Sequence, residues 1–170
     1  MSRLKSQSIF CAVLVLFIAR PLQAALAVGD IFPSLGGMAL EGKLPATEDR
    51  VLLVDFWASW CAPCKASFPA LAQLHAWYGQ RGVVVIGVSV DENVNDFTSF
   101  VQKQAPPFFI VRDAAQKLVS LVHVPTMPTT FVIGRDGRIR AILSGYHGSE
   151  TDRALRAALN TTLAEKKSAR

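Results

Sequence analysis

The run VLLVDFWASWCAPCKASFPALAQ, residues 51–73, decides how this chain folds. Its first seven residues, Val51 to Trp57, are apolar except for Asp55. A short run of branched and aromatic side chains between polar segments predicts a buried strand. The next segment places Phe68, Leu71, Leu74 and Tyr78 at helical spacing. Pro63 suits the first helical turn, where its missing N–H costs nothing, and Gly79 and Gly82 end the helix. Two cysteines, Cys61 and Cys64, sit where strand becomes helix.

Working outward, VVVIGVSV (83–90) predicts a second buried strand and DENVNDFTSFVQKQ (91–104) a helix with Val94, Phe97 and Val101 on one face. Pro106 and Pro107 stop that helix. FFIV (108–111) follows as a strand, and DAAQKLVSLVHV (113–124) as a helix with Leu118, Leu121 and Val122 facing inward. TFVIG (130–134), the Asp136-Gly137 turn and RIRAILSG (138–145) form a hairpin. Ser149, followed by Asp152, caps a last helix to about Ala164. Before the first strand, Gly36-Gly37 and the Glu41-Gly42 turn predict a short leading hairpin or loose leading strands. The order is β-α-β-α-β-α-β-β-α. Strands joined through helices run parallel and the final hairpin adds an antiparallel edge, so the chain is one α/β domain with a mixed sheet.

The N-terminus has the three parts of a secretory signal peptide: Arg3 and Lys5, an apolar run from Ile9 to Ala19, and the small-x-small Ala25-Leu26-Ala27. The run is too short to span a bilayer. Cleavage after Ala27 leaves a domain of residues 28–170; the alternative is a segment kept as a membrane anchor. Cleavage removes three of the 18 basic residues and none of the 13 acidic ones, so the net charge falls from +5 to about +2. No basic run or basic-aromatic stripe remains, which argues against a nucleic-acid partner. Cys11 leaves with the signal, and the two remaining cysteines enter an oxidising compartment.

A pair at this spacing can clip a zinc ion, form a structural disulfide or carry electrons. A structural zinc site needs four ligands. His75, His123 and His147 lie far from one another in sequence and form no ligand pair. A disulfide across so small a loop removes little unfolded-state entropy, roughly 2 kcal/mol or less. A redox dithiol explains the placement better. A helix N-terminus carries partial positive charge and free N–H groups, which lower the pKa of a cysteine held there. Cys61 is then the exposed nucleophile. Cys64, one turn in, resolves the mixed disulfide, with Pro63 stiffening the turn between them.

VDFWASWCAPCK resembles the active-site segment of the thioredoxin superfamily. Asp55 matches its buried acid, Trp60 precedes the first cysteine, and Pro69 matches its helix-kinking proline. MPTTFVIG (127–134) is similar to its cis-proline loop, with Pro128 the cis residue. Within the superfamily the resemblance is closest to exported TlpA-like and ResA-like proteins. It implies a thioredoxin-like fold: a mixed central sheet flanked by helices, with the leading hairpin and an inserted helix at 92–104. It implies catalytic roles for Cys61, Cys64 and Asp55, and for Glu92, which aligns with an acid that ResA-like proteins hold near the site. It implies substrate contacts at Trp60, Pro63, Met127, Pro128 and Thr129. Gly87 stands where thioredoxins place a lysine, so Asp55 lacks that cation and burial should raise its pKa.

The resemblance further implies a periplasmic reductase needing no cofactor and no metal. It would be re-reduced by a membrane thiol-electron donor and would act on disulfide-containing clients such as apocytochrome c or copper-site thiols. Two alternatives remain: a DsbA-like oxidant, and a Cu(I)-binding module built on Cys61, Cys64 and Met127 or His123.

Overall fold

The structure, a computed structural model, describes residues 25–165. Most of the signal-peptide reading, Cys11 included, falls outside the described residues. Among them, no helix is long and apolar enough to cross a membrane.

Strand β2 (Val51–Trp57) is the centre of the molecule. Both of its faces are covered, which is why its sequence is a continuous apolar run instead of an alternating one. The chain first contributes a two-residue strand, β1 (Glu41–Gly42). After β2 come helix α1 (Ala62–Tyr78), strand β3 (Val83–Ser89), helix α2 (Val94–Gln104) and strand β4 (Phe109–Arg112). Helix α3 (Lys117–Val122), strands β5 (Thr129–Ile133) and β6 (Ile139–Ser144), and helix α4 (Ser149–Ala164) complete the fold. The sheet order is β1-β4-β3-β2-β5-β6. β2, β3 and β4 are parallel, whereas β5, β6 and β1 are antiparallel to their neighbours. This is the mixed thioredoxin-like sheet that the sequence predicts, inserted helix included.

Three local expectations are corrected. The leading segment is not a hairpin. Its two parts pair with opposite edges of the sheet, β1 with β4 and Ile31 with Arg138 beside β6. The edges offer unpaired backbone groups that a short self-paired hairpin would not satisfy. Phe32, buried against Phe131 at a ring separation of 5.2 Å, anchors the crossing between them. Helix α3 begins four residues later than the pattern of 113–124 suggests. The buried Asp113 carboxylate accepts from the N–H groups of Lys117 and Val119, so it stands outside the helix and caps it. Gly148, not Ser149, is the N-cap of α4.

Trp57 lies against Phe68 of α1 and Phe100 of α2. Asp55 and Trp57 point to the same side of β2, so α1 and α2 cover the Asp55 side of the sheet.

Candidate active site

The topology brings three loops to one end of the sheet. β2 and β3 are parallel, so Trp57 and Ser89 finish side by side. β5 is antiparallel to β2 and starts there, Thr129 beside Phe56. The segments 58–61, 90–93 and 124–128 therefore meet at the N-terminus of α1.

Cys61 is the N-cap of α1, with extended backbone, and its Sγ accepts from the Cys64 N–H at 3.2 Å. A disulfide joins the two cysteines. Cys61 is 5% exposed and Cys64 is fully buried. On reduction, the helix N-terminus and that N–H favour thiolate at Cys61. Cys61 is thus the sulfur an incoming group can reach, though through a narrower opening than the sequence suggests. Ala62 and Pro63 are exposed around it, and Trp60 is 69% exposed. Cys64 precedes Phe68 by one helical turn, so both face the sheet. Cys64 therefore lies on the face of α1 that covers the Asp55 side. Pro69 is inside α1.

Asp55 is wholly buried. The Thr130 hydroxyl donates to its Oδ1 at 2.6 Å, while Oδ2 has no hydrogen-bond partner among the described residues. Loss of water outweighs the single hydrogen bond and pushes the carboxyl up to about 7. Asp55 can therefore take or give a proton near neutral pH. Thr130→Val, which keeps the shape and removes the donor, is expected to raise the Asp55 titration midpoint by about one further unit. Carboxyl 13C NMR across the pH range checks this.

Gly87 pairs with Asp55, as the resemblance places it. A Cβ there would meet Ile110 Cδ1 at 2.8 Å and Trp57 Nε1 at 3.0 Å. The Trp57 indole and the Ile110 side chain occupy the space a larger residue needs, so no cation reaches Asp55 from this strand. Gly87→Ala is expected to destabilise the fold by about 1–3 kcal/mol through overpacking, read as a lower urea midpoint.

The Met127–Pro128 peptide bond is cis. Pro128 is buried and its carbonyl accepts from the Gly145 N–H at 2.7 Å. Met127 is half-buried against the core. Thr129 is fully buried and its hydroxyl donates to the Thr126 carbonyl. Glu92 lies in the loop after β3 with its side chain in solvent. Its neighbour Asp91 points inward instead. Asp91 is 2% exposed and accepts from the Ser59 N–H at 3.0 Å, the Ser59 hydroxyl at 2.8 Å and the Ser89 hydroxyl at 2.7 Å. Asp91 and Thr130 escape the sequence reading. The signal for Asp91 is an acid directly after a buried strand that ends beside the cysteine loop. Thr130 is legible only once strands β2 and β5 are paired.

The histidines are not gathered at the cysteines. His75 is three turns along α1, His123 is exposed at the end of α3, and His147 is exposed in the loop before α4. Among the described residues, no group of three His, Cys, Asp or Glu side chains is placed to hold a metal ion.

Residues 28–142 match the model of the AhpC/TSA family. The thiol-disulfide oxidoreductase ResA of Geobacillus thermodenitrificans is 29% identical over 126 residues, 72% of this chain and 72% of that protein. Among solved structures, a protein assigned as the thiol:disulfide interchange protein DsbE from Chlorobium tepidum superposes with a TM-score of 0.75 at 31% identity. It covers 82% of this chain and 100% of its own. StoA from Bacillus subtilis superposes with a TM-score of 0.58 at 24% identity, over 65% of this chain and 83% of its own, a likeness of fold.

Proposed function

The chain belongs to the AhpC/TSA family of the thioredoxin superfamily, and on that premise we propose that it is an exported thiol–disulfide oxidoreductase that reduces disulfides of client proteins. The observation that carries this reading is the Cys61–Cys64 pair at the N-terminus of α1, with the buried Asp55 on the side of the sheet that α1 covers. The relatives named thiol-disulfide oxidoreductase and thiol:disulfide interchange protein support the reaction class.

In the reduced protein the Cys61 thiolate attacks one sulfur of a client disulfide, and the other client sulfur leaves as a thiolate. Asp55 accepts the Cys64 proton. The Cys64 thiolate then attacks the Cys61 sulfur, expels the second client thiolate and closes the Cys61–Cys64 disulfide. Two electrons have passed to the client, and an external dithiol must return them. The structure holds the oxidised partner of this cycle. Trp60, Pro63 and Met127 contact the client in this reading. The backbone before Pro128 pairs with an extended client segment in the manner of strand addition. Glu92, exposed in the loop next to this end of the sheet, would meet a client there.

Residues 1–27 direct export, which places the reaction in the periplasm with a membrane thiol donor upstream. Disulfides of apocytochrome c or of copper-site proteins are the client class. Equilibration with glutathione buffers tests the direction. A reduction potential below about −200 mV is expected, whereas a value well above it makes the protein an oxidant.

A further inference from the structure

The loop before Cys61 is held by a chain of polar contacts that reaches the far edge of the sheet. Asp91 takes two donors from Ser59, two residues before Cys61. Arg112, the last residue of β4, donates from one guanidinium nitrogen to the backbone carbonyls of Asp91 at 3.2 Å and Glu92 at 2.9 Å. Its other two nitrogens donate to Glu41 Oε2 at 3.0 and 2.7 Å. Glu41 is its cross-strand partner in β1. The Arg112 side chain is only 8% exposed and that of Glu41 is 54% exposed. An Arg so buried must be paired, and its rigid fork suits joining two elements at fixed geometry. The contacts join residues 20 to 71 positions apart in sequence. None belongs to a helix or to the ladder of a strand.

We infer that Asp91 is a positioning residue for Cys61, and that Arg112 and Glu41 hold Asp91 in place. Asp91 fixes the Ser59 N–H and hydroxyl, and so fixes the turn that brings Cys61 to the N-cap of α1. There the Cys61 sulfur meets the Cys64 N–H. If the turn relaxes, the sulfur loses alignment with that donor and with the helix N-terminus, and its thiolate is less favoured. The charged groups near this point are Arg112 and Glu41, with Glu92 next to Asp91 in the chain. Lys65 of α1 and Asp96 and Lys103 of α2 share a groove with Ser59, and the buried Asp55 lies on the side of the sheet that α1 covers. The inference rests on Cys61 being the attacking thiol.

The test is the pH profile of Cys61 alkylation by iodoacetamide in the fully reduced chain, read by mass spectrometry of the Cys61 peptide. It needs no client, so a failure to reduce clients counts against the proposed function and leaves this test intact. Asp91→Asn and Ser59→Ala are each expected to move the Cys61 midpoint upward, lowering its reactivity at pH 7 by about three- to tenfold. Glu41→Gln is expected to move it the same way by less, and to add nothing once Asp91 is Asn, because both act through one contact chain. A downward midpoint in Asp91→Asn with no effect of Ser59→Ala makes Asp91 a field effect alone and overturns the proposal. Unchanged midpoints with only a lowered Tm also overturn it. If Asp91→Asn does not fold, Ser59→Ala and Glu41→Gln decide the matter, with an unmoved midpoint in both sinking the idea.

Discussion

Asp55→Asn is expected to stabilise the oxidised protein by about 4 kcal/mol at pH 8 and to leave it nearly unchanged at pH 4. The sign follows from the raised carboxyl. In the unfolded chain an aspartate titrates near 3.8, and in the folded protein Asp55 titrates near 7. Between those values the folded state binds the extra proton, so stability is full below about pH 4 and is lost as pH climbs through 7. Asparagine is neutral throughout and removes that loss. Urea unfolding of both proteins across the range measures the difference, and a gain that does not vary with pH would contradict a carboxylate destabilised by burial. The same substitution should slow the resolving step on the order of 100-fold, because the Cys64 proton loses its acceptor. Stability and catalysis move in opposite directions at one residue. That pairing distinguishes an acid retained for chemistry from one retained for structure.

The larger effect is at the cysteines. Cys61→Ala is expected to bring disulfide reduction to background, since the other cysteine at this end of the sheet, Cys64, is fully buried. Cys64→Ser should behave differently. Its Cys61 still attacks, but the mixed disulfide has no internal thiol to expel the client, so a covalent adduct accumulates. Insulin reduction and non-reducing gels with mass spectrometry read both. Adduct trapped by a Cys61 variant and not by Cys64→Ser would invert the two roles. A Cys61→Ala protein that still reduces insulin would remove the proposed function altogether. Performed in the exporting host, the Cys64→Ser adduct also identifies the client.

The elements legible in the sequence are those whose cause is local. β2 and α1 follow from one apolar run that turns into a helical stripe. The β5–β6 hairpin follows from its Asp136-Gly137 turn, where Gly137 adopts a positive φ. The leading segment was not legible, because its partners are sheet edges some 70 to 110 residues further along. Helix α3 loses its first turn to a side chain, Asp113, whose capping the apolar pattern does not register. The site divides in the same way. The cysteine pair announces itself by its spacing at a strand-to-helix junction, and the resemblance singles out Asp55 and Pro128. In VSVDEN, resemblance draws the eye to Glu92, whose side chain stands in solvent, while burial selects Asp91. The charged end of the buried strand FFIVR, Arg112, required a partner. Nothing along the chain points to Glu41 as that partner until β1 and β4 are laid side by side.

The leading segment has one more consequence. A protein that grips extended, partly unfolded chains risks capturing them along any open strand edge, and copies of itself likewise. Here a single stretch, residues 29–42, lies across both margins of the sheet: β1 blunts the β4 side, and Ile31 with its neighbours blunts the start of β6. On the proposed function, that leaves the loop at Pro128 as the place for strand-like capture. The guard and the catalytic end are also mechanically joined, since Glu41 of the guard clasps Arg112. The residues that cover the β4 edge are thus the ones tied, through Arg112, to the loop after β3.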